Sequence, residues 1–190
     1  MSDSTRLSEI LSTFVGQPCW SAIAGDADDY ALVLDLGEKH RRSLRLANPD
    51  LSFLQRTYEG SHSLLVECPW RIDGPDRVAA TCFDARREEG RGALDALDQI
   101  GKRAVVAVRA RAPGYDLAID FEDGWALRTL AIEVDDRSGR NNWQCWTPRG
   151  SATVRPGSEL VFATREDAEN ALTRLRLAPF EGFDEGDDDE

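Results

Sequence analysis

The sequence predicts an α+β fold, mainly antiparallel β, in which two related β-meander units pack about a pseudo-twofold axis, with an N-terminal helix and a C-terminal helix. Three observations predict it. The stretch YALVLDLGEK at 30–39 returns as YDLAIDFEDG at 115–124, so that Tyr30, Leu32, Leu34, Asp35 and Leu36 match Tyr115, Leu117, Ile119, Asp120 and Phe121 at a constant offset of 85. Apolar residues alternate with period two through most of the chain, the mark of half-buried strands. Periodicity of 3.6 residues is confined to short segments near the start, the middle and the end.

Residues 5–15 place Leu7, Ile10, Leu11 and Phe14 on one helical stripe, with Ser4 as the cap and Gly16 as the stop. After Pro18, strands are expected at Trp20 to Ile23, Tyr30 to Leu36 and Ser43 to Leu46, separated by the turn compositions GDADD and GEKHRR. SHSLLVECPWRI at 61–72 reads as one strand, GPD as a turn, and RVAATCF as its hairpin partner. Leu94, Leu97 and Ile100 mark a short helix closed by Gly101. The second meander runs from Ala104 to Arg111, through Leu117, Ile119 and Phe121, to the Asp123-Gly124 turn. Its return strand spans Trp125 to Val134, with a bulge expected between Leu127 and Leu130. Asn142 to Thr147 is a further strand, on which Trp143 and Cys145 oppose Gln144 and Trp146; a looser echo links Cys68 and Trp70 to Cys145 and Trp146. Thr164 with Asp167 forms a capping-box variant before a helix faced by Ala168, Ala171, Leu172 and Leu175.

A length of 190 residues suits one well-buried domain, expected over 1–179 with an internal repeat at 20–72 and 104–147. Chance alternation of apolar residues is the competing explanation of that repeat. The tail at 180–190 has no core-forming period and is expected to be disordered. Net charge is −12, and the last ten residues, EGFDEGDDDE, hold seven acids and no base. That balance disfavours direct binding to nucleic acid or to anionic membranes. No apolar run approaches the roughly 20 residues of a spanning helix, and no secretion signal opens the sequence, so a cytoplasmic protein is expected.

The four cysteines form no C-x-x-C and only two histidines occur, so neither a zinc frame nor a cofactor site is expected. His40 lies in the basic run KHRR, and six residues of strand separate His62 from Cys68 by about 20 Å, too far for a nucleophile and its base. Asp120 and Glu122 share a strand face about 7 Å apart, the spacing of an acid and base pair or of a solvated outer face. No phosphate-loop, dinucleotide, zincin or EF-hand motif occurs. No catalytic and no metal-binding residue is assigned, and the chain reads as a non-enzyme.

The tryptophans carry more. Trp20, Trp70, Trp125, Trp143 and Trp146 lie on or beside expected strands, and the opposite parity of Trp143 and Trp146 exposes one of them unless the strand is covered on both faces. WTPR at 146–149 has the composition of an interface anchor, with core burial the competing role for any single tryptophan.

LLVECPWR at 64–71, together with YDLAIDFEDGWAL and NNWQCW, resembles a set of small uncharacterised bacterial proteins carrying an L-x-V-x-C-x-W-R strand, a D-L-x-L-x-F-x-x-G hairpin and a downstream N-W. Leu64, Val66, Cys68, Trp70 and Arg71 match the first motif; Asp116, Leu117, Ile119, Phe121, Gly124, Asn142 and Trp143 match the rest, over about residues 20–162. The motifs describe packing. Small acidic proteins of this appearance include immunity proteins encoded beside toxins, and the resemblance therefore implies a non-catalytic, immunity-like or antitoxin-like protein that neutralises a basic toxin or nuclease. The expected partner-binding residues are Trp146, Arg149, Asp120, Glu122, Asp184, Glu185, Asp187, Asp188 and Asp189. Two further readings stay open: an accessory scaffold subunit of a bacterial defence complex, and a small-ligand binder with a pocket between the meanders near Asp35, Asp120, Trp70 and Trp143.

Overall fold

The computed structural model describes residues 2–25, 30–42, 51–84, 91–135 and 139–164, with only the backbone of 91 and 92. Helix α1 (Asp3–Ser12) starts at Ser2, whose extended backbone lets its hydroxyl accept from Thr5 N at 3.3 Å. The cap is thus Ser2 and not Ser4, which lies inside the helix. Strands β1 (Cys19–Ala24) and β2 (Leu32–Arg41) follow, then a single-turn helix α2 (Phe53–Thr57), β3 (Tyr58–Val66), β4 (Trp70–Asp73) and β5 (Val78–Thr81). Helix α3 (Arg91–Ile100) leads into β6 (Val105–Arg111), β7 (Asp116–Phe121), β8 (Ala126–Thr129), β9 (Trp143–Thr147), β10 (Gly150–Arg155) and β11 (Glu159–Ala163).

All strand pairs are antiparallel, in a six-stranded sheet of order β1-β2-β3-β9-β10-β11 and a five-stranded sheet of order β5-β4-β8-β7-β6. The six-stranded sheet therefore joins β1, β2 and β3 to β9, β10 and β11, and the five-stranded sheet joins β6, β7 and β8 to the hairpin of β4 and β5. Leu32, Leu34 and Leu36 of β2 turn inward because period-two alternation meets one buried face, and Leu117, Ile119 and Phe121 of β7 do the same from the other sheet. With Leu64, Ile72, Leu127, Trp143 and the helix stripes they form one apolar cluster, each aliphatic side chain contributing about 1.5–3 kcal/mol. Helix α1 packs on β6 and β10, and α3 packs on β1 and β5, so each helix touches both sheets.

Several expectations change. GEKHRR is not a turn: β2 runs through it to Arg41, and Gly37 takes a left-handed φ of +75° inside a register shift between Leu36 and Lys39. A Cβ at Gly37 would lie 2.4 Å from Ser61 Oγ, so the glycine serves the bulge. Ser43 to Leu46 lies outside the described residues, and the strand paired with β2 on the side away from β1 is β3.

SHSLLVECPWRI is two strands. The chain leaves the six-stranded sheet after Val66, where Glu67 N donates to Asn142 O, and re-enters the other sheet at Trp70, where Leu130 N donates to Pro69 O. Pro69 has no N–H to continue a ladder, which is why the run breaks there. In α3 the buried residues are Ala93, Ala96, Leu97 and Ile100, while Leu94 faces solvent; two alanines let the helix approach closely and set its rotation.

No bulge separates Leu127 from Leu130: β7 and β8 keep one register, β8 ends at Thr129, and Leu130 leaves the sheet exposed. Trp143, rather than Trp146, makes contacts like those of Trp70. Trp70 opens β4 opposite Thr129 and donates from Nε1 to Tyr30 O at 2.7 Å; Trp143 opens β9 opposite Val66 and donates to Tyr115 O at 2.8 Å. The expected C-terminal helix after Thr164 and the tail lie outside the described residues. Acidic and basic residues nearly balance among the described ones, so the acidic excess belongs largely to segments outside them, such as Asp26, Asp28, Asp29 and the C-terminus.

Candidate functional site

Strand register lays out the outer face of the six-stranded sheet. Ser21, Asp35, Ser63, Trp146, Ser151 and Ala163 pair successively across all six strands and form one row. Beside it run Ile23, Val33, Leu65, Gln144, Thr153 and Val161, all half-buried. Trp146 stands out of this surface at 37% exposure, while Trp143 and Cys145 on the opposite face of β9 are fully buried. A large, stiff, amphipathic ring raised above a half-apolar sheet is the physical form of an anchor residue. Arg149, exposed in the β9–β10 turn, lies three residues on, and its N–H donates to Thr147 Oγ1.

Asp35 anchors the other end of the row. It is 1% exposed although it sits on the outer face, because its partners cover it. Oδ1 accepts from Gly60 N at 3.0 Å and from Ser63 Oγ at 2.8 Å, and Oδ2 accepts from Arg42 at 3.3 Å. At Gly60 β3 lies too close to β2 for a side chain; a Cβ there would lie 2.5 Å from Leu36 N and O. The carboxylate thus holds a backbone crossing that only glycine fits.

The outer face of the five-stranded sheet is different. Arg109, Asp120, Arg128, Asp73 and Arg71 form a continuous ion-pair ladder, with Arg109–Asp120 at 2.7 Å, Arg128–Asp120 at 2.6 Å and Arg71–Asp73 at 3.0 Å. Burial pushes the Asp120 carboxyl up, but the hydrogen bonds and charges of Arg128 and Arg109 outweigh it and hold its pKa below the usual value. Glu122 Oε2 accepts from Ala104 N and is occupied in tying the β7–β8 turn to the residue before β6. The two carboxylates do not face one another as an acid and base pair.

The expected partner-binding residues therefore divide. Trp146 lies on the outer face of the six-stranded sheet and Arg149 in the turn that follows its strand, Asp120 belongs to the other sheet and Glu122 to the turn after β7, and Asp184, Glu185, Asp187, Asp188 and Asp189 lie outside the described residues. The four pocket suspects also separate, since Trp70 and Trp143 fill the shared core while Asp35 and Asp120 lie on opposite outer faces. Among the described residues, no group of three or more His, Cys, Asp and Glu side chains could hold a metal ion, and no helix is long and apolar enough to cross a membrane. Cys19, Cys68 and Cys145 are buried thiols whose pKa burial raises to about 12, and Cys82 is buried too.

His62 turns inward against Phe14, with ring centroids 5.2 Å apart and near edge-to-face, and its Nδ1 lies 3.0 Å from Ser61 Oγ. Burial lowers its pKa from 6.5. The fold therefore favours the neutral ring, a contribution present above pH 6.5 and lost as pH falls from there towards the folded value. Thermal stability is expected to fall below pH 6.5 more steeply in the native protein than in His62→Leu. Parallel pH curves for the two would remove His62 from this role.

Sequence reasoning flagged Trp146 through its parity and the composition of WTPR. It missed the Asp35 cluster, because Gly60 and Ser63 lie 25 and 28 residues away along the chain. Comparison with protein-family models, curated proteins and solved structures finds no match for this chain.

Proposed function

We propose that the chain is a non-catalytic protein-binding protein that engages its partner through the outer face of the six-stranded sheet, anchored by Trp146. The observation that carries this reading is a difference between equivalent positions. Trp146 pairs with Ser63, next to Asp35; on the five-stranded sheet Asp73 pairs with Ala126, next to Asp120. At the same place in two similar lattices, one sheet closes its surface with an ion-pair ladder and the other raises a tryptophan.

The equivalence rests on an internal duplication, which is part of the same proposal. Exchanging β1, β2, β3, β4 and β5 for β6, β7, β8, β9 and β10 converts the order of one sheet into that of the other, with β11 left over. Gly37 N donates to Pro18 O as Glu122 N donates to Ala104 O, and the Tyr30 and Tyr115 carbonyls each accept from a tryptophan. Leu7, Ile10, Leu11 and Phe14 stand 86 positions before Ala93, Ala96, Leu97 and Ile100. These parallels support two copies about a pseudo-twofold axis.

The charge of −12 favours a basic partner, and the resemblance to immunity-like proteins favours a toxin or nuclease neutralised by occupation. The acidic residues from Asp184 to Asp189 then speed association, and Trp146 with Arg149 supplies the held contact. The test is affinity capture from host lysate with the full chain, with Trp146→Ala and with a chain ending at Pro179, followed by an inhibition assay on any basic toxin or nuclease retained. The full chain is expected to inhibit it; Trp146→Ala is expected to weaken binding by at least about 2 kcal/mol, roughly thirtyfold; truncation is expected to slow association and flatten its salt dependence. Equal binding by Trp146→Ala would overturn the anchor, and salt-insensitive association would overturn the electrostatic part.

A further inference from the structure

Strand β6 is an edge of the five-stranded sheet, and α1 lies alongside it. Between them runs a groove of about 380 Å³. A pocket on the face of a strand is lined by alternate residues, but residues 106–110 line this one consecutively. It therefore follows the edge, where main-chain groups turn towards it. The opposite wall is one helical face, on which Ser4, Ser8 and Ser12 recur every fourth residue, all exposed.

We propose that this groove binds an extended, acidic peptide segment of a partner protein as an additional strand on β6. An unpaired strand edge carries main-chain donors and acceptors in the spacing of another strand, so the complement it satisfies best is an extended backbone. The chain itself uses this edge at one end. Gly16 N donates to Val105 O at 2.8 Å, Val105 N donates to Gln17 O at 3.0 Å, and Pro18 bridges Ala104 in antiparallel sense. At Gly16 the chain turns away into α1, and the pairing stops where the groove begins.

Charge sets the class of peptide. Arg109 and Arg111 project from β6 and are exposed, and among the described residues Arg109 pairs with Asp120, a carboxylate it shares with Arg128. Glutamates at alternate positions of an added strand lie within reach of these guanidiniums across the ladder. Val106, exposed beside the groove, meets the apolar residues between them. The groove accommodates about five extended residues, roughly 16 Å. This surface is on the other sheet from Trp146 and stands apart from the partner proposed there.

The test uses the full chain and a heptapeptide alternating valine with glutamate, followed by amide NMR and fluorescence anisotropy. Amides of Val106–Arg111 are expected to shift and to gain protection from exchange. N-methylation of the peptide at one alternating set of residues is expected to weaken binding at least about tenfold, while methylation of the other set leaves it unchanged, because an added strand presents one edge only. Ser8→Trp fills the groove from an exposed helix position and is expected to abolish binding without loss of stability. Arg111→Glu is expected to weaken the peptide about threefold to tenfold. Trp146→Ala is expected to leave the titration unchanged, so failure here and failure of the anchor reading are distinguishable. Equal binding by both methylated peptides, undiminished binding to Ser8→Trp, or unmoved β6 amides at millimolar peptide would each overturn the proposal. A concentration-dependent dimer protecting the same amides would overturn it in favour of a second copy of the chain.

Discussion

Asp35→Ala is expected to destabilise the protein by about 3–5 kcal/mol, read as a fall in the denaturant midpoint with unchanged slope. The carboxylate is 1% exposed and satisfies three donors at once, Gly60 N, Ser63 Oγ and Arg42. Removing it leaves a backbone N–H without its acceptor where β2 and β3 approach too closely to readjust, and leaves the partly buried Arg42 guanidinium with Glu59 as its remaining carboxylate partner and a long bond to Gln55 O. Asp35→Asn is expected to cost less, since the amide oxygen still accepts one or two of these bonds. The contrast that isolates the cause is Glu59→Gln. Glu59 bonds the same arginine but is 48% exposed, and solvent screening keeps its loss within about 1 kcal/mol. A loss below about 1 kcal/mol for Asp35→Ala would show that the cluster does not hold the β2–β3 crossing.

How legible such features were depended on how local their causes are. Strands β2 and β7 were readable because Leu32, Leu34 and Leu36, like Leu117, Ile119 and Phe121, alternate against a single buried face, and a slip of one residue would expose all of them. The first helix was readable for the same reason at a period of 3.6. Strand β10 carries only small residues and one valine on its buried side, Ala152 and Val154, so its run GSATVR shows little contrast in hydrophobicity, and β11 was missed with it. The break at Pro69 was hidden because both halves of SHSLLVECPWRI are apolar, although they belong to different sheets. In α3 the phase was set by Ala93 and Ala96 rather than by the larger Leu94. As for the candidate site, parity showed that Trp143 and Trp146 face opposite ways, and the composition of WTPR pointed to Trp146 as the exposed one. Its surroundings were not legible, because Ser63 and Ser151 reach Trp146 only through strand register.

Trp143→Ala is expected to cost about 3–5 kcal/mol, and Trp70→Ala a comparable amount, since both rings fill the space between the sheets. The finer test is phenylalanine. It keeps most of the apolar volume but removes the indole N–H that Tyr115 O receives from Trp143 and Tyr30 O receives from Trp70. Tyr115 itself holds a φ of 58°, a strained conformation for a tyrosine, and the bond from Trp143 is one of the contacts that hold it there. Each Trp→Phe change is expected to cost about 1–3 kcal/mol, the loss of a buried hydrogen bond plus a small cavity. If the two halves are copies of one unit, the two costs should agree within about 1 kcal/mol. Trp146→Ala, on the same strand as Trp143 but facing outward, is expected to cost less than about 1 kcal/mol, and this near-neutrality is what makes its effect on partner binding interpretable. A large stability loss for Trp146→Ala would reassign that ring from anchor to support, and a Trp70→Phe cost far from that of Trp143→Phe would argue that the shared hydrogen bond does different work in the two halves.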